Sequence, residues 1–392
     1  MSKNKVLFIQ PCFVNFGGYF RSFSLARFLA KKGFKVDLLI SSKENSILIR
    51  KEEKIKNLTV FSLPRLNLHQ FINGKILRGF LGCFFIVFGK YDMVHIFESV
   101  QFETNIPLLF CKLIGKKVVL DIDEEWLDNP MYHKTMPLMK RYIEFCDLKL
   151  APKFPHMTVT SDYLVKKFKK LGVKNVIKII NGVDFDQFHP MKKSEARKHL
   201  KISSQEKILL SFGNTYEGGR AYLLFKTFEE ILKRDKSVKL YFNFRPEHFL
   251  LNPRVKKEIN TEIFKNIITT GYIEEKMLPY YLGAADLVLF LTEKTKLEKA
   301  CFPIRIGSYL NGERVIAINR TGTEAYNSLV KYDCVVSGDT PTEVAQNIIK
   351  FFHDKNLRKK LEQNALKAKN GLNMEAQTNQ LINFYQKTLD VF

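Results

Sequence analysis

"TVTSDYLVKKFKKLGVKNVIKIINGVDFDQFHP", residues 158–190, decides the fold. A β-branched run (156–160) is followed by Ser161, a natural helix N-cap. An amphipathic run over 161–171 comes next, then a second apolar run at 176–180. Strand, helix and strand in that order make a parallel βαβ unit. It is followed by Asn181-Gly182-Val183-Asp184 and Phe188-His189-Pro190, which read as an ordered linker.

The same alternation continues on both sides. Before the linker, strands are expected at 5–10, 35–41, 58–62, 92–97 and 117–122, with a clear helix at 19–32. After it, strands are expected at 207–213, 238–244, 267–270, 286–291, 314–318 and 332–336. Helical segments near 340–354, 356–369 and 374–390 finish the chain. The pattern predicts two doubly wound α/β domains, each with a parallel sheet covered on both faces. At 392 residues the chain is long enough for both cores. Ligands of such sheets bind beyond the carboxyl ends of the strands, so the loops after strands carry the candidate residues.

Six widely spaced cysteines form no C-x-x-C pair and suggest reduced thiols rather than disulfides or a zinc site. Residues 5–10 read as a first strand and not as the apolar region of a leader. The longest apolar run, Phe80–Phe88, falls short of a membrane span. Net charge is +23. Residues 54–91 contain no acid, and their cations alternate with Phe71, Ile76, Leu77, Phe80, Phe84 and Phe85. Such a segment suits the anionic inner face of a membrane. A nucleic-acid backbone and a plain solvated face are the competing readings, but no RNA or DNA recognition motif accompanies the charge.

Three loops hold chemistry. Gly17-Gly18, between the first strand and its helix, either admits an anion or sugar to backbone N–H groups or makes a tight turn. His95 and Glu98 end one strand, and Asp121, Asp123, Glu124 and Glu125 end the next. Carboxylates there can orient or deprotonate a sugar hydroxyl. Asp121-Ile122-Asp123 also matches a short metal motif, with a capping role as the alternative. "FPIRIGSYLNGERVIA", 302–317, is a short helix and buried strand carrying Arg305 and Ser308.

Together, the Gly-Gly loop, the N-G-V-D…F-x-P linker, "ILLSFGNTYEGG" (208–219), "IITTGYIEEKMLPYYLGAADLVLFLT" (267–292) and the 302–317 helix resemble the retaining glycosyltransferases of the GT-B fold, the family 4-like or group 1 set. The resemblance spans roughly residues 4–370. It implies two Rossmann-like domains facing each other across a cleft: an acceptor domain over 1–187, a nucleotide-sugar domain over 188–370, and a helix in 371–392 packing back toward the first. It also implies sugar transfer, with retention, from a nucleotide-sugar to a lipid-linked or glycan acceptor at the cytoplasmic membrane face. Residues 54–91 would meet the bilayer, and no metal, cofactor or nucleic acid would take part. A non-catalytic scaffold of the same fold is the alternative.

For the donor, the resemblance implies Gly17, Gly18, Gly213 and the base-holding Gly271, Tyr272 and Ile273, with Tyr309 in the 302–317 helix. The family's phosphate arginine is replaced by Asn214, which leaves Arg220, Arg305 and Arg21 as candidate cations. Its ribose-binding acid is replaced by Ser308, a loss of about 1.5–3 kcal/mol of charge-assisted bonding. The partner acid would fall at Ala300, with Glu298 and Glu293 nearby. Asp123 stands at the family's catalytic-domain histidine, so Asp123, Arg305 and Glu298 are the expected catalytic set. His95, Glu98 and Asp121 are expected on the acceptor side.

Overall fold

The computed structural model describes residues 4–66, 74–129, 136–213 and 219–389. The chain forms two compact units. The first runs through Gly182 and takes back Ala300–Ile304 and the C-terminal helix Met374–Leu389; the second holds Val183–Lys299 and Arg305–Asn373. The units are therefore not two uninterrupted stretches of sequence.

The first unit has an eight-stranded sheet in the order β3-β4-β2-β1-β5-β6-β7-β8. Its strands are β1 (Lys5–Phe13), β2 (Lys35–Ser41), β3 (Arg50–Ile55), β4 (Leu58–Leu63), β5 (Met93–Phe97), β6 (Val118–Ile122), β7 (His156–Val159) and β8 (Asn175–Lys178). Helices α1 (Tyr19–Lys31), α2 (Lys75–Phe88), α3 (Phe102–Leu113), α4 (Pro137–Phe145) and α5 (Asp162–Lys170) connect them. Side chains alternate faces along a strand, and here both faces are buried. Val6 and Phe8 pack with α1 and the C-terminal helix, whereas Leu7 and Ile9 pack with α5 and its neighbours. Continuous apolar runs such as "KVLFI" follow from that double burial.

One expectation is corrected here: the sheet is not wholly parallel. Strand β3 runs antiparallel to β4, closing a hairpin at Lys56-Asn57 with Asn57 at φ 72°. Its sequence, RKEEKI, is charged and mostly exposed, which suits a solvated edge but hides the strand from an apolar-periodicity reading.

Segment 54–91 also divides. Arg78 is buried, ion-paired to Glu103, and donates to Pro64 O at 2.8 Å. Phe85 packs on Phe61, their ring centroids 4.9 Å apart. What faces outward is one side of α2, with Phe80, Phe84, Val87 and Phe88 all more than half exposed. Phe71 lies outside the described residues. Gly79 permits close approach to α3, because a Cβ there would sit 2.7 Å from Ile106 Cδ1.

The second unit has six parallel strands in the order β11-β10-β9-β12-β13-β14. These are β9 (Lys207–Ser211), β10 (Val238–Phe242), β11 (Ile267–Thr269), β12 (Leu287–Leu289), β13 (Ile316–Asn319) and β14 (Val335–Gly338). Helix α6 (Lys193–Leu200) follows the linker and α7 (Arg220–Leu232) follows β9. Asp286, of the "AADLV" signature, accepts from Ile208 N at 2.7 Å and from Arg197 Nη2 at 3.1 Å. Its role is to lock α6 onto the sheet. Strand β9 ends at Ser211, earlier than expected, so Phe212 and Gly213 belong to the loop beyond it. Among the described residues no helix is long and apolar enough to cross a membrane.

Candidate active site

In the first unit the strand-end residues separate into a buried frame and a rim. Arg21, on α1, donates from Nε and Nη2 to the two Asp121 carboxylate oxygens at 2.8 and 2.7 Å. Its Nη1 donates to Asn181 Oδ1 at 3.0 Å, and Asn181 Nδ2 donates to Phe302 O at 2.7 Å. Thr158 Oγ1 donates to Asp121 Oδ2 at 2.5 Å. That leaves the Thr158 oxygen to accept from His95 Nε2 at 3.1 Å, while Tyr385 Oη on the C-terminal helix donates to His95 Nδ1 at 2.6 Å. His95 is neutral, its pKa lowered to about 4 by burial despite Asp121.

These bonds bear on three of the expected site residues. Asp121 and His95 are frame residues with almost no exposed surface, and the first unit's own ion pair consumes Arg21. Glu125 is likewise used, accepting from Lys167 Nζ at 2.8 Å and Tyr163 Oη at 3.0 Å.

Glu98, Asp123 and Glu124 remain at the rim. Burial, then Glu124 and Asp123, pushes the Glu98 carboxyl well above the ordinary range. Asp123 is raised to about 6 by burial and by Asp121, with Arg21 opposing. Glu124 is raised to about 7 by burial and Asp123. Glu98 holds φ 78°, an uncommon conformation for a non-glycine residue, and its Oε1 is buried with no partner among the described residues. Carboxyls that share protons near neutrality can both donate to and accept from sugar hydroxyls. Gly17, at φ 52°, and Gly18 form the turn into α1; a Cβ on Gly18 would meet Gln10 Nε2 at 2.6 Å. Among the described residues no group of three or more His, Cys, Asp or Glu could hold a metal ion.

In the second unit two arginines gather beyond β9. Arg305 Nη1 donates to Phe212 O at 2.7 Å, and its guanidinium occupies the space a Cβ on Gly213 would need. Gly213 is fixed by Asn243, which accepts from its N at 3.2 Å and donates to its O at 2.9 Å. Arg220, at the start of α7, is ion-paired to the buried Glu298. Glu298 thus holds Arg220 in position. Glu293 lies against Gly219, just ahead of Arg220. Asn214 falls outside the described residues.

Tyr309 is fully buried, its hydroxyl donating to Phe212 O at 3.2 Å, so it supports the loop from beneath. Ser308 is buried too and donates to Gln187 Oε1 at 3.0 Å. Gln187 lines a recess of about 590 Å³ with Phe188, Glu274, Glu275, Lys276 and Pro279. That recess includes the residues following Gly271 (φ 69°), Tyr272 and Ile273, and Tyr272 is 83% exposed. Sequence reasoning missed the partnership of Gln187 with Ser308 and the seating of Arg305 on Gly213. Neither pairing has a local signal, since each joins residues about a hundred positions apart.

Two doubly wound sheets with these connections define the GT-B fold. No protein-family model matches the chain. Its sequence is 26% identical over 249 residues to a putative teichuronic acid biosynthesis glycosyltransferase, TuaH, of Bacillus subtilis; the match covers 61% of this chain and 59% of that protein. Among solved structures, sucrose-phosphate synthase from Thermosynechococcus elongatus superposes with a TM-score of 0.73 at 13% identity, covering 99% of this chain and 100% of that one. WaaG, a glycosyltransferase involved in lipopolysaccharide biosynthesis, gives 0.69 at 14% identity over 96% and 98% of the two chains. The chain has the GT-B fold of the glycosyltransferases, and the group 1 resemblance read from its motifs agrees with these relatives.

Proposed function

We propose that this protein is a glycosyltransferase that moves a sugar, with retention, from a nucleotide-sugar to a lipid-linked or glycan acceptor in cell-envelope polysaccharide or glycolipid assembly. The observation that carries the reading is Arg305, whose guanidinium is seated on Gly213 at the carboxyl end of β9 where no side chain would fit, with Arg220 opening the helix that follows the same strand. Cations so placed can neutralise a departing diphosphate, where charge develops in the transition state. The ribose is met at the Gln187 recess by an amide held by Ser308, in place of the family's acid. Glu98, Asp123 and Glu124 orient sugar hydroxyls, Asp123 in place of the family's catalytic-domain histidine. TuaH and WaaG, both named for envelope glycans, support that acceptor class. The exposed phenylalanines of α2 attach the protein to the cytoplasmic face of an anionic membrane.

Calorimetry with UDP-, GDP-, ADP- and CMP-sugars tests the donor. Saturable binding of one nucleotide class, weakened by Arg305→Ala, is expected; no binding of any class overturns the reading. A second reading, a scaffold with a degenerate donor site, draws on the neutralisation of Arg220 by Glu298 and on Ser308 being spent on Gln187. Binding without turnover on any acceptor panel would favour it.

A further inference from the structure

The first unit carries an apolar recess that none of the chemistry above uses. It lies between α3 and α4, encloses about 550 Å³, and is lined by Phe102, Leu138, Met139, Tyr142 and Phe145, with Arg141 as the one charged lining residue. Its floor is a stacked pair, the Phe102 and Tyr142 rings 4.9 Å apart at 29°. The Tyr142 hydroxyl is occupied by Asn105 Nδ2 at 2.7 Å, so the floor presents carbon. Leu138 and Phe145 stand at the edge, 79% and 50% exposed.

Two observations identify the occupant. Helix α2 packs beside the recess: a Cβ on its inward-facing Gly79 would sit 3.1 Å from Phe102 O, and the Phe102 ring forms part of the floor. On the outward face of α2 Phe80, Phe84 and Phe88 are exposed, as are Leu109 and Leu113 on α3 and Ile114 just after it. Such a patch exceeds the scattered apolar residues of an ordinary surface. The charge is basic: Arg141 lines the recess and the exposed Lys149 and Lys153 follow α4 in the chain, against one exposed acid on α4, Glu144. Apolar contact ringed by cations matches an anionic lipid leaflet.

We propose that the α3–α4 recess is a hydrocarbon-chain seat, which receives one acyl chain of an anionic phospholipid when the α2 face meets the bilayer. The proposal rests on the membrane attachment put forward above and extends it to residues outside 54–91.

The only tryptophan, Trp126, reports on the seat, since it packs half-buried on the same core as Met139 and Tyr142. Full-length protein is mixed with phosphatidylglycerol vesicles whose acyl chains are either plain or dibrominated, and flotation is scored alongside Trp126 emission. The wild type is expected to float and to be quenched by the brominated chains. Leu138→Ser/Phe145→Ser should still float, with quenching reduced at least about twofold. Phe80→Ser/Phe84→Ser should lose flotation, and unchanged thermal melting shows that the variants fold. Equal quenching of wild type and Leu138→Ser/Phe145→Ser overturns the seat and leaves membrane attachment standing. A wild type that does not float overturns both. A dimer in lipid-free buffer that Leu138→Ser/Phe145→Ser converts to monomer assigns the recess to a second copy and overturns the lipid occupant.

Discussion

Two arginines open the first helix after the first strand of their respective units, and they have opposite fates. Arg21 follows Gly17-Gly18 and is sealed in a bidentate pair with Asp121, both side chains about 1% exposed. Arg220 follows Gly219 and is held by Glu298, itself buried, but keeps 18% of its own side chain exposed. Similar local sequence therefore makes a structural cation in one unit and a presented one in the other. What differs is the partner. Asp121 sits inside β6, where its charge is surrounded by sheet, whereas Glu298 stands on the short helix Lys296–Ala300 outside the sheet.

The largest expected effect breaks the first pair. Asp121→Ala leaves Arg21 buried without its counter-ion and should cost about 3–5 kcal/mol in urea denaturation. Glu298→Ala, in a partly solvated pair, should cost roughly 1 kcal/mol. Equal losses would end the distinction between frame and rim.

Next comes the donor site. Arg305→Ala should weaken nucleotide-sugar binding about 10- to 100-fold in calorimetry, the range of one charge-assisted contact. Gly213→Ala, which forces the guanidinium away, should follow with a loss of about tenfold. If both bind as wild type does, the β9 loop is not the phosphate site.

The smallest effect concerns the acid rim. Asp123 and Glu124 titrate near 6 and 7 in the folded chain, above their unfolded values, so folding takes up protons. That contribution is fully present below about pH 4 and is lost as pH rises through 6 and 7. Asp123→Asn/Glu124→Gln removes it, so the variant's stability relative to wild type should climb between pH 4 and 7. Parallel stability curves would show that the rim carboxyls are not mutually strained. His95, lowered to about 4, acts in the opposite sense but is common to both proteins and cancels in the difference.

The linker and the strand alternation were legible because burial on both sheet faces writes itself as apolar runs, and Ser161 does accept from Leu164 N at 3.2 Å as an N-cap. Strand β3 was not, because an exposed edge needs no apolar residue. Within the site, Glu98, Asp123 and Glu124 could be placed at strand ends by counting. Which acids were free could not, since that turned on Arg21, Lys167 and Thr158, residues 37 to 100 positions away. The comparison with the family's ribose-binding acid singled out Ser308 but was silent on Gln187, for the same reason.

By itself, then, the sequence determined the βα order, the GT-B likeness and which chemical groups stand at the strand ends, because these depend on periodicity and short spacing. Only the tertiary structure decided which of those groups are spent holding the fold. A charge buried by distant chain must find its partner there, and the charges left over are the ones available for substrate.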